Sequence, residues 1–392
     1  MMKKTILDIP VLKNKTVFLT VDFNISLHNG KIANDTRIRE VLPTINYLLK
    51  KGAKLVIASH LGRPDGYDLQ YSLRPVAEHL QKMVSQKVFI VDKYWFPEIN
   101  QEVSQKAKQG IVLLENIRFT ENERKNDNNF SKHLSCMADY FVNDAFGASH
   151  RVHASIVGIA QYLPSYAGLL LDREIRMLDK SLFNPQKPFV VVIGGAKTPE
   201  KISVIEKLLD IAGTVILGGA IANTFLAAWG FGMGKSIIDY EMIEMAKVVF
   251  WKTSRRHSAL ILPHDVIITT DSNQKKLITV DYNKVPSNAS IYDIGPETRK
   301  YYGQLMEKAK TIIWNGPMGL FEDERFKAGT ESVLKSIAGS KAFSIVGGGD
   351  TLTSIKNKDY LKKITHISTG GSAMLEYLKK GTLPGIEVLI DA

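Results

Sequence analysis

Short apolar runs rich in valine, isoleucine and leucine recur along this chain, and the segments between them carry apolar residues at helical spacing. A strand that is apolar on both faces belongs in a sheet covered on both sides. Its alternation with helices means parallel strands joined by crossover connections. This pattern excludes most other folds and also says where function lies. Parallel strands finish at one edge, and ligands gather in the crevice outside those carboxyl ends. The residues just past each strand are therefore the informative ones.

In the first half the predicted strands are TVFLTV, KLVIAS, KVFIV, IVLLE and YFVND. The segments at their carboxyl ends are polar and often basic. The first strand runs into Asp22, Phe23 and Asn24, the second into His60-Leu61-Gly62-Arg63, and the fourth into Asn116-Ile117-Arg118. The fifth leads on to His150-Arg151-Val152-His153, and Arg37 stands just before the helical VLPTINYLLKKG. Arginine offers a planar fork that matches phosphate and carboxylate oxygens. One arginine after a strand means little. Several converging on one sheet edge predict a site for a small, multiply charged anion.

In the second half the strands end in glycine instead: FVVVIGG, TVILGG, TIIWNG, FSIVGGG and HISTGG, with LILPHDVII among them. Glycine lets the backbone approach a ligand closely and aim its amides at phosphate oxygens. GGGDT and STGGSAMLEYL lead into helices, whose N-termini favour anions. Tight strand-to-helix turns also need glycine, so one such pair decides nothing. Their repetition in one half predicts a nucleotide site.

With 392 residues the chain is long for one core and comfortable for two domains. Between the halves, SYAGLLLDREIRMLDKSLFNPQKP reads as a linking helix closed by a proline turn, and the tail LPGIEVLIDA is apolar enough to pack on another surface. No apolar run approaches the roughly 20 residues of a membrane helix. The opening MMKKTILDIPVLKNK has no signal-peptide pattern. A single cysteine, Cys136, excludes an intramolecular disulfide and fits the cytoplasm; its apolar surroundings, HLSCMADYF, predict a buried, inert thiol. The net charge of +11 suits either scattered surface lysines or a basic anion site. No block of consecutive basic residues or nucleic-acid motif accompanies it, so no specific nucleic-acid partner is expected. GFGMGKS imitates a phosphate loop, but Trp229 occupies the place of the required first glycine and a helical segment precedes it. Neither a zinc-ligand spacing nor a G-x-S-x-G elbow is present.

The blocks VDFN with DTRIR, SHLGRP, LLENIRF with KND, VNDAFGASHRVHAS, GGAKTPEKI, ILPHDV, DIGPET, WNGPMGLFE, GGGDT and HISTGGSAMLE succeed one another along nearly the whole chain. In this the sequence resembles the phosphoglycerate kinase family. The resemblance implies two doubly wound, parallel-sheet α/β domains of Rossmann-like type joined by a linking helix. Residues 1–167 would form the phosphoglycerate-binding domain, 168–182 the helix and 183–377 the nucleotide-binding domain, with 378–392 returning to the first. It implies reversible transfer between 1,3-bisphosphoglycerate and ADP with Mg2+, giving 3-phosphoglycerate and ATP, by a monomer whose domains close for transfer and open for release.

By the same resemblance, Asp22, Asn24 and Arg37 would hold the substrate's carboxyl and hydroxyl end, and His60, Arg63, Arg118 and Arg151 its 3-phosphate. Lys197 and Lys201 would meet the nucleotide phosphates. Gly219, Asn315 and Pro317 would line the nucleotide pocket, and Glu322 would take the ribose. Asp350 would accompany magnesium, with Gly348, Gly349 and Thr351 beside the phosphates. Arg37, Lys197, Gly349 and Gly371 would act on the moving phosphoryl group. The chemistry agrees: the acceptor is a carboxylate, ionised at neutral pH with a pKa of about 4, so alignment and positive charge are needed rather than a base.

Three residues depart from the family pattern. Ala220 and Ser372 stand where a third glycine is usual, and Thr20 where an arginine precedes VDFN. KTPEKI also carries Thr198-Pro199, and proline suits a helix's first turn. Thr20 removes one cation from the basic cluster, a modest loss because the other arginines remain. Thr20→Arg is accordingly expected to lower the Michaelis constant for 3-phosphoglycerate at low salt. An unchanged or weaker constant in a steady-state assay counts against this account.

Overall fold

A computed structural model of the chain describes residues 2–28, 30–92, 94–95, 98–196, 198–253, 258–270, 276–355 and 358–392. The chain divides into two units, Met1–Arg176 with Thr382–Ala392, and Met177–Gly381. The helix Leu169–Phe183 carries the chain from one to the other.

The sheet of the first unit has six strands in the spatial order Lys87–Val91, Gly110–Leu114, Lys54–Ala58, Thr16–Val21, Tyr140–Asp144 and Ser165–Ala167. Every pairing is parallel. In Thr16–Val21 all residues after the first are buried, as a strand with helices on both faces requires. Connections leave this strand toward Lys54–Ala58 on one side and, later in the chain, return to Tyr140–Asp144 on the other. The crevice of a doubly wound sheet opens at such a reversal. Thr36–Lys50 covers one face with Ile38, Val41, Ile45 and Leu48, a stripe at helical spacing.

The second unit's six-stranded sheet runs Ala259–Ile261, Thr214–Leu217, Phe189–Ile193, Thr311–Asn315, Phe343–Gly347 and His366–Ser368, again wholly parallel. Its reversal lies between Phe189–Ile193 and Thr311–Asn315. A separate antiparallel sheet joins Ile278–Asp281, Asp265–Thr269 and Ser290–Ile294. Trp314 is fully buried, and its indole N–H donates to the Gly316 carbonyl at 2.8 Å.

Three details differ from the sequence reading. LILPHDVII is two strands in two sheets, because Pro263 offers no amide to continue the first ladder. Ser165–Ala167 forms the sixth strand, and the helix begins only at Leu169. Cys136 is exposed: it ends the helix Asn128–Ser135, while its neighbours Leu134 and Met137 take the interior positions.

Both ends of the chain build the first unit. Lys3 is buried, with Nζ donating to the carbonyls of Glu387 at 3.3 Å and Leu389 at 2.9 Å and pairing with Asp391 at 2.7 Å. Asn143, at the end of a central strand, donates from Nδ2 to the Gly385 carbonyl at 2.8 Å and the Ser149 hydroxyl at 3.0 Å. Its Oδ1 accepts from the Ala145 N–H at 3.0 Å. Asn143→Ala leaves these buried groups short of partners. It is expected to lower stability by about 1–3 kcal/mol, read as a fall in the urea midpoint followed by circular dichroism.

Candidate functional site

The reversal of the first sheet carries a basic cluster around one buried carboxylate. Asp22 comes directly after Thr16–Val21 and is buried. Arg37, from the first turn of Thr36–Lys50, pairs with its Oδ1 at 2.8 Å and also donates to the Asn24 carbonyl at 3.0 Å. The Asn24 N–H donates to the same carboxylate oxygen at 3.1 Å. Gly62 is held from two sides: its N–H donates to Asn24 Oδ1 at 2.9 Å, and its carbonyl accepts from Arg118 Nη1 at 2.7 Å. Asn116 fixes this loop to the neighbouring strand end, accepting from the Leu61 and Arg118 amides and donating to the Leu61 and Tyr71 carbonyls. Asp22, Asn24, Arg37, His60 and Arg118 are thereby brought together, with Arg63 exposed and Arg151 half-buried beside them.

Their charges are strongly coupled. Burial alone would raise the Asp22 carboxyl, but Arg37, the Asn24 N–H and Arg118 outweigh it and hold the group below the usual carboxylate range. His60 is buried too. Burial pushes its imidazole down to about 3, with Arg118, Arg37 and Arg151 acting in the same direction and Asp22 opposing. It is therefore neutral near pH 7 and is not one of the cluster's cations. Burial and Arg151 lower the Arg118 guanidinium to about 10. Its Nε and Nη2 are buried with no hydrogen-bond partner among the described residues. A buried donor pair of this kind suits an anion. Thr20 lies behind the cluster, 3% exposed, with its hydroxyl donating to the Ser155 carbonyl at 2.8 Å.

The second sheet carries a cavity of about 300 Å³ at its reversal. Gly195, Gly219, Ala220, Pro317, Glu322 and Asp350 are among its walls. The strand-end loops approach so closely that side chains are excluded. A Cβ on Gly316, at φ +93°, would stand 2.2 Å from the Gly194 carbonyl oxygen, and one on Gly219, at φ +63°, 2.7 Å from the Gly195 nitrogen. Thr351 accepts the Gly316 N–H at 2.7 Å and so ties the start of Gly349–Ser354 to this wall. Asn315 donates to the Gly347 carbonyl at 3.1 Å. It therefore braces two strand ends rather than facing the cavity.

Lys201 is buried and its Nζ donates to the Gly194 carbonyl beneath the loop. Gly348, Gly349 and Gly371 lie together: a Cβ on Gly371 would come 3.3 Å from Gly348 Cα, where the helix Gly371–Lys380 begins. Lys197 lies outside the described residues.

Several wall residues escaped the sequence reading. Tyr292, whose ring stacks on Phe326 at 4.7 Å, and Asp293 belong to Ser290–Ile294, a strand hidden because Asp293 interrupts its apolar residues. Burial raises the Asp293 carboxyl to about 7, against hydrogen bonds from the Gly329 and Ile294 amides. Lys235 comes from the phosphate-loop look-alike. That segment comes after the helix Gly219–Ala228 and is no phosphate loop, yet its lysine reaches the cavity. Among the described residues, no three His, Cys, Asp or Glu side chains converge on a metal position. The exposed Asp350 carboxylate at the cavity suits a hard cation that keeps most of its ligands from phosphate and water.

Comparison with known proteins bears on both sites. A family model described as phosphoglycerate kinase matches residues 6–381. The curated phosphoglycerate kinase of Pelotomaculum thermopropionicum is 42% identical over 395 residues, and that of Moorella thermoacetica 43% over 393, each alignment covering 100% of both chains. Among solved structures, phosphoglycerate kinase from Coxiella burnetii aligns with a TM-score of 0.85 at 39% identity. The enzyme from Pyrococcus horikoshii aligns with 0.86 at 33%; both cover 98% of each chain.

The buried, neutral His60 makes a thermodynamic prediction. Its folded pKa of about 3 lies below the ordinary 6.5, so between those values the unfolded chain binds the proton and the folded chain does not. The site therefore costs stability as pH falls through that window, by up to about 1.4 kcal/mol per pH unit. His60→Gln is expected to flatten the pH dependence of stability from 6.5 down to 4.5. Urea midpoints across that range, compared with the parent's, check it.

Proposed function

We propose, from the premise that this chain belongs to the phosphoglycerate kinase family, that its two strand-edge sites hold the two partners of one phosphoryl transfer. The reaction is the reversible transfer between 1,3-bisphosphoglycerate and Mg-ADP that yields 3-phosphoglycerate and Mg-ATP. The observation that carries the assignment of sites is the contrast between the two reversals. One gathers arginines around a buried carboxylate, and the other opens a glycine-walled cavity large enough for a nucleotide.

On the first unit, Asp22, Asn24 and Arg37 take the carboxyl and hydroxyl end of phosphoglycerate, and His60, Arg63, Arg118 and Arg151 take its 3-phosphate. The Asp22–Arg37 pair orients the guanidinium before substrate arrives, which lowers the entropic cost of alignment. Neutral His60 contributes a hydrogen bond, and the open Nε and Nη2 of Arg118 supply charge-assisted ones. On the second unit, Gly219 and Pro317 border the base, Glu322 the ribose, and Lys197, Lys201, Gly348, Gly349 and Thr351 the phosphates, with Asn315 bracing them. Asp350 would hold magnesium, which neutralises phosphate charge when bound. Arg37, Lys197 and the amides at Gly349 and Gly371 stabilise the moving phosphoryl group, and no general base is needed. Because the partners are bound on separate units, transfer requires closure and release requires opening. The working form is a cytoplasmic monomer without a specific nucleic-acid partner. Among the described residues no helix is long and apolar enough to cross a membrane.

The assay is ATP consumption with 3-phosphoglycerate and magnesium, coupled to glyceraldehyde-3-phosphate dehydrogenase and loss of NADH. Turnover is expected, with kcat lowered by at least about 100-fold in Lys197→Ala and in Arg37→Ala. A protein that binds nucleotide without turnover would reduce the chain to a binding protein with this fold.

A further inference from the structure

Glu123 sits behind the arginine cluster and has no part in the phosphoryl-transfer scheme. It lies on the short helix Glu121–Arg124 and is 1% exposed. Its Oε2 accepts the Ser155 backbone N–H at 2.9 Å and its Oε1 the Ser155 hydroxyl at 2.7 Å. His153 Nδ1 stands 3.5 Å from Oε1. Ser155 in turn accepts the Thr20 hydroxyl through its carbonyl. Thr20, Glu123, His153 and Ser155 line one small cavity together with His60 and Arg118. Its volume, about 10 Å³, is room for a single water at most.

A carboxylate this deeply buried needs compensation by a cation or by several hydrogen bonds. Ser155 alone satisfies part of that need, and among the described residues no lysine or arginine forms an ion pair with Glu123. Thr20 lines the same cavity without a charge, and Arg118 is the guanidinium on its wall. The remaining positive charge is that of the cluster itself. Four arginines repel one another there, and Asp22 is the carboxylate paired directly with one of them.

Resting on the assignment of this edge as the phosphoglycerate site, we propose that Glu123 is a positioning residue of that site. Its buried charge is the rear counter-ion of Arg118, and its grip on Ser155 sets the segment that comes after Arg151 and His153. Arg118 is faced by Arg151 and Arg63, which disfavour its charged form, and by Glu123 and Asp22, which favour it, with His60 adjacent and neutral. Removing the Glu123 charge therefore makes Arg118 lose its proton at a lower pH.

The test is calorimetric binding of 3-phosphoglycerate to the full chain between pH 7 and 10.5 at low salt, for the parent, Glu123→Gln and Glu123→Asp. Glutamine accepts the Ser155 N–H through its amide oxygen and donates from its amide nitrogen to the Ser155 hydroxyl oxygen, so it removes the charge and reverses one of the two bonds. The alkaline loss of affinity is expected to move about one pH unit lower in Glu123→Gln, with binding about 3-fold tighter at pH 7. Glu123→Asp keeps the charge but draws it back by one methylene, so it is expected to move the alkaline limb in the same direction by a smaller amount even if Glu123→Gln does not fold. A limb unmoved in the folded variants, or affinity lowered equally at every pH, overturns the proposal while the assignment of the site stands. A parent chain that fails to bind 3-phosphoglycerate overturns both.

Discussion

The polarity of two parallel sheets governs this molecule. Because every strand in a sheet points the same way, all the loops that leave carboxyl ends meet at one edge. Where connections reverse direction, two adjacent loops splay apart and open a crevice. Thr16–Val21 and Tyr140–Asp144 bound one such opening, Phe189–Ile193 and Thr311–Asn315 the other. The strands spend their hydrogen bonds on each other and their side chains on the core. The chemistry is therefore free to vary in the loops, and it does: one edge is loaded with charge and the other stripped of side chains.

The charged edge is feasible only because its repulsions are answered from below. Four arginines near one another would push apart in a dry environment, and a buried histidine would add to the strain if it were protonated. Asp22 takes up Arg37 directly, and His60 stays neutral through burial. The result is a cluster whose cations are held in place before any ligand arrives, as the proposed anion site requires. The glycine edge solves a different problem. There the obstacle to a phosphate is bulk, and the close packing of Gly194 against Gly316 leaves backbone as the surface presented.

Much of this was legible in the sequence, and the failures have physical causes. All five strands expected in the first half form, since runs such as KLVIA and YFVND are buried on both faces and nothing else suits them. Asp22, Arg37, His60 and Arg118 are brought together because each comes soon after a strand or opens a helix beside one. LILPHDVII misled because an apolar run says nothing about a proline that ends one ladder and starts another elsewhere. Ser290–Ile294 and its Tyr292 were missed because Ser290 and Asp293 leave only two consecutive apolar residues, so the strand lacked the run that marks a buried parallel strand. Glu123 sits in ENER, a stretch that reads as solvated surface. Only the packing of residues 153–158 over it makes it interior.

The first unit is made from both ends of the chain, while the second is a single uninterrupted stretch between them. During synthesis on the ribosome, residues 177–381 are therefore all delivered before the segment that completes the earlier-made unit. Until Glu387 and Leu389 emerge, the ammonium group of Lys3 lacks the carbonyls it is buried against, and the Asn143 amide waits for Gly385. The part of the molecule translated first is thus the last that can be finished, and a nascent chain ending at Gly381 would carry every residue of the second unit while the first still lacked its closing segment.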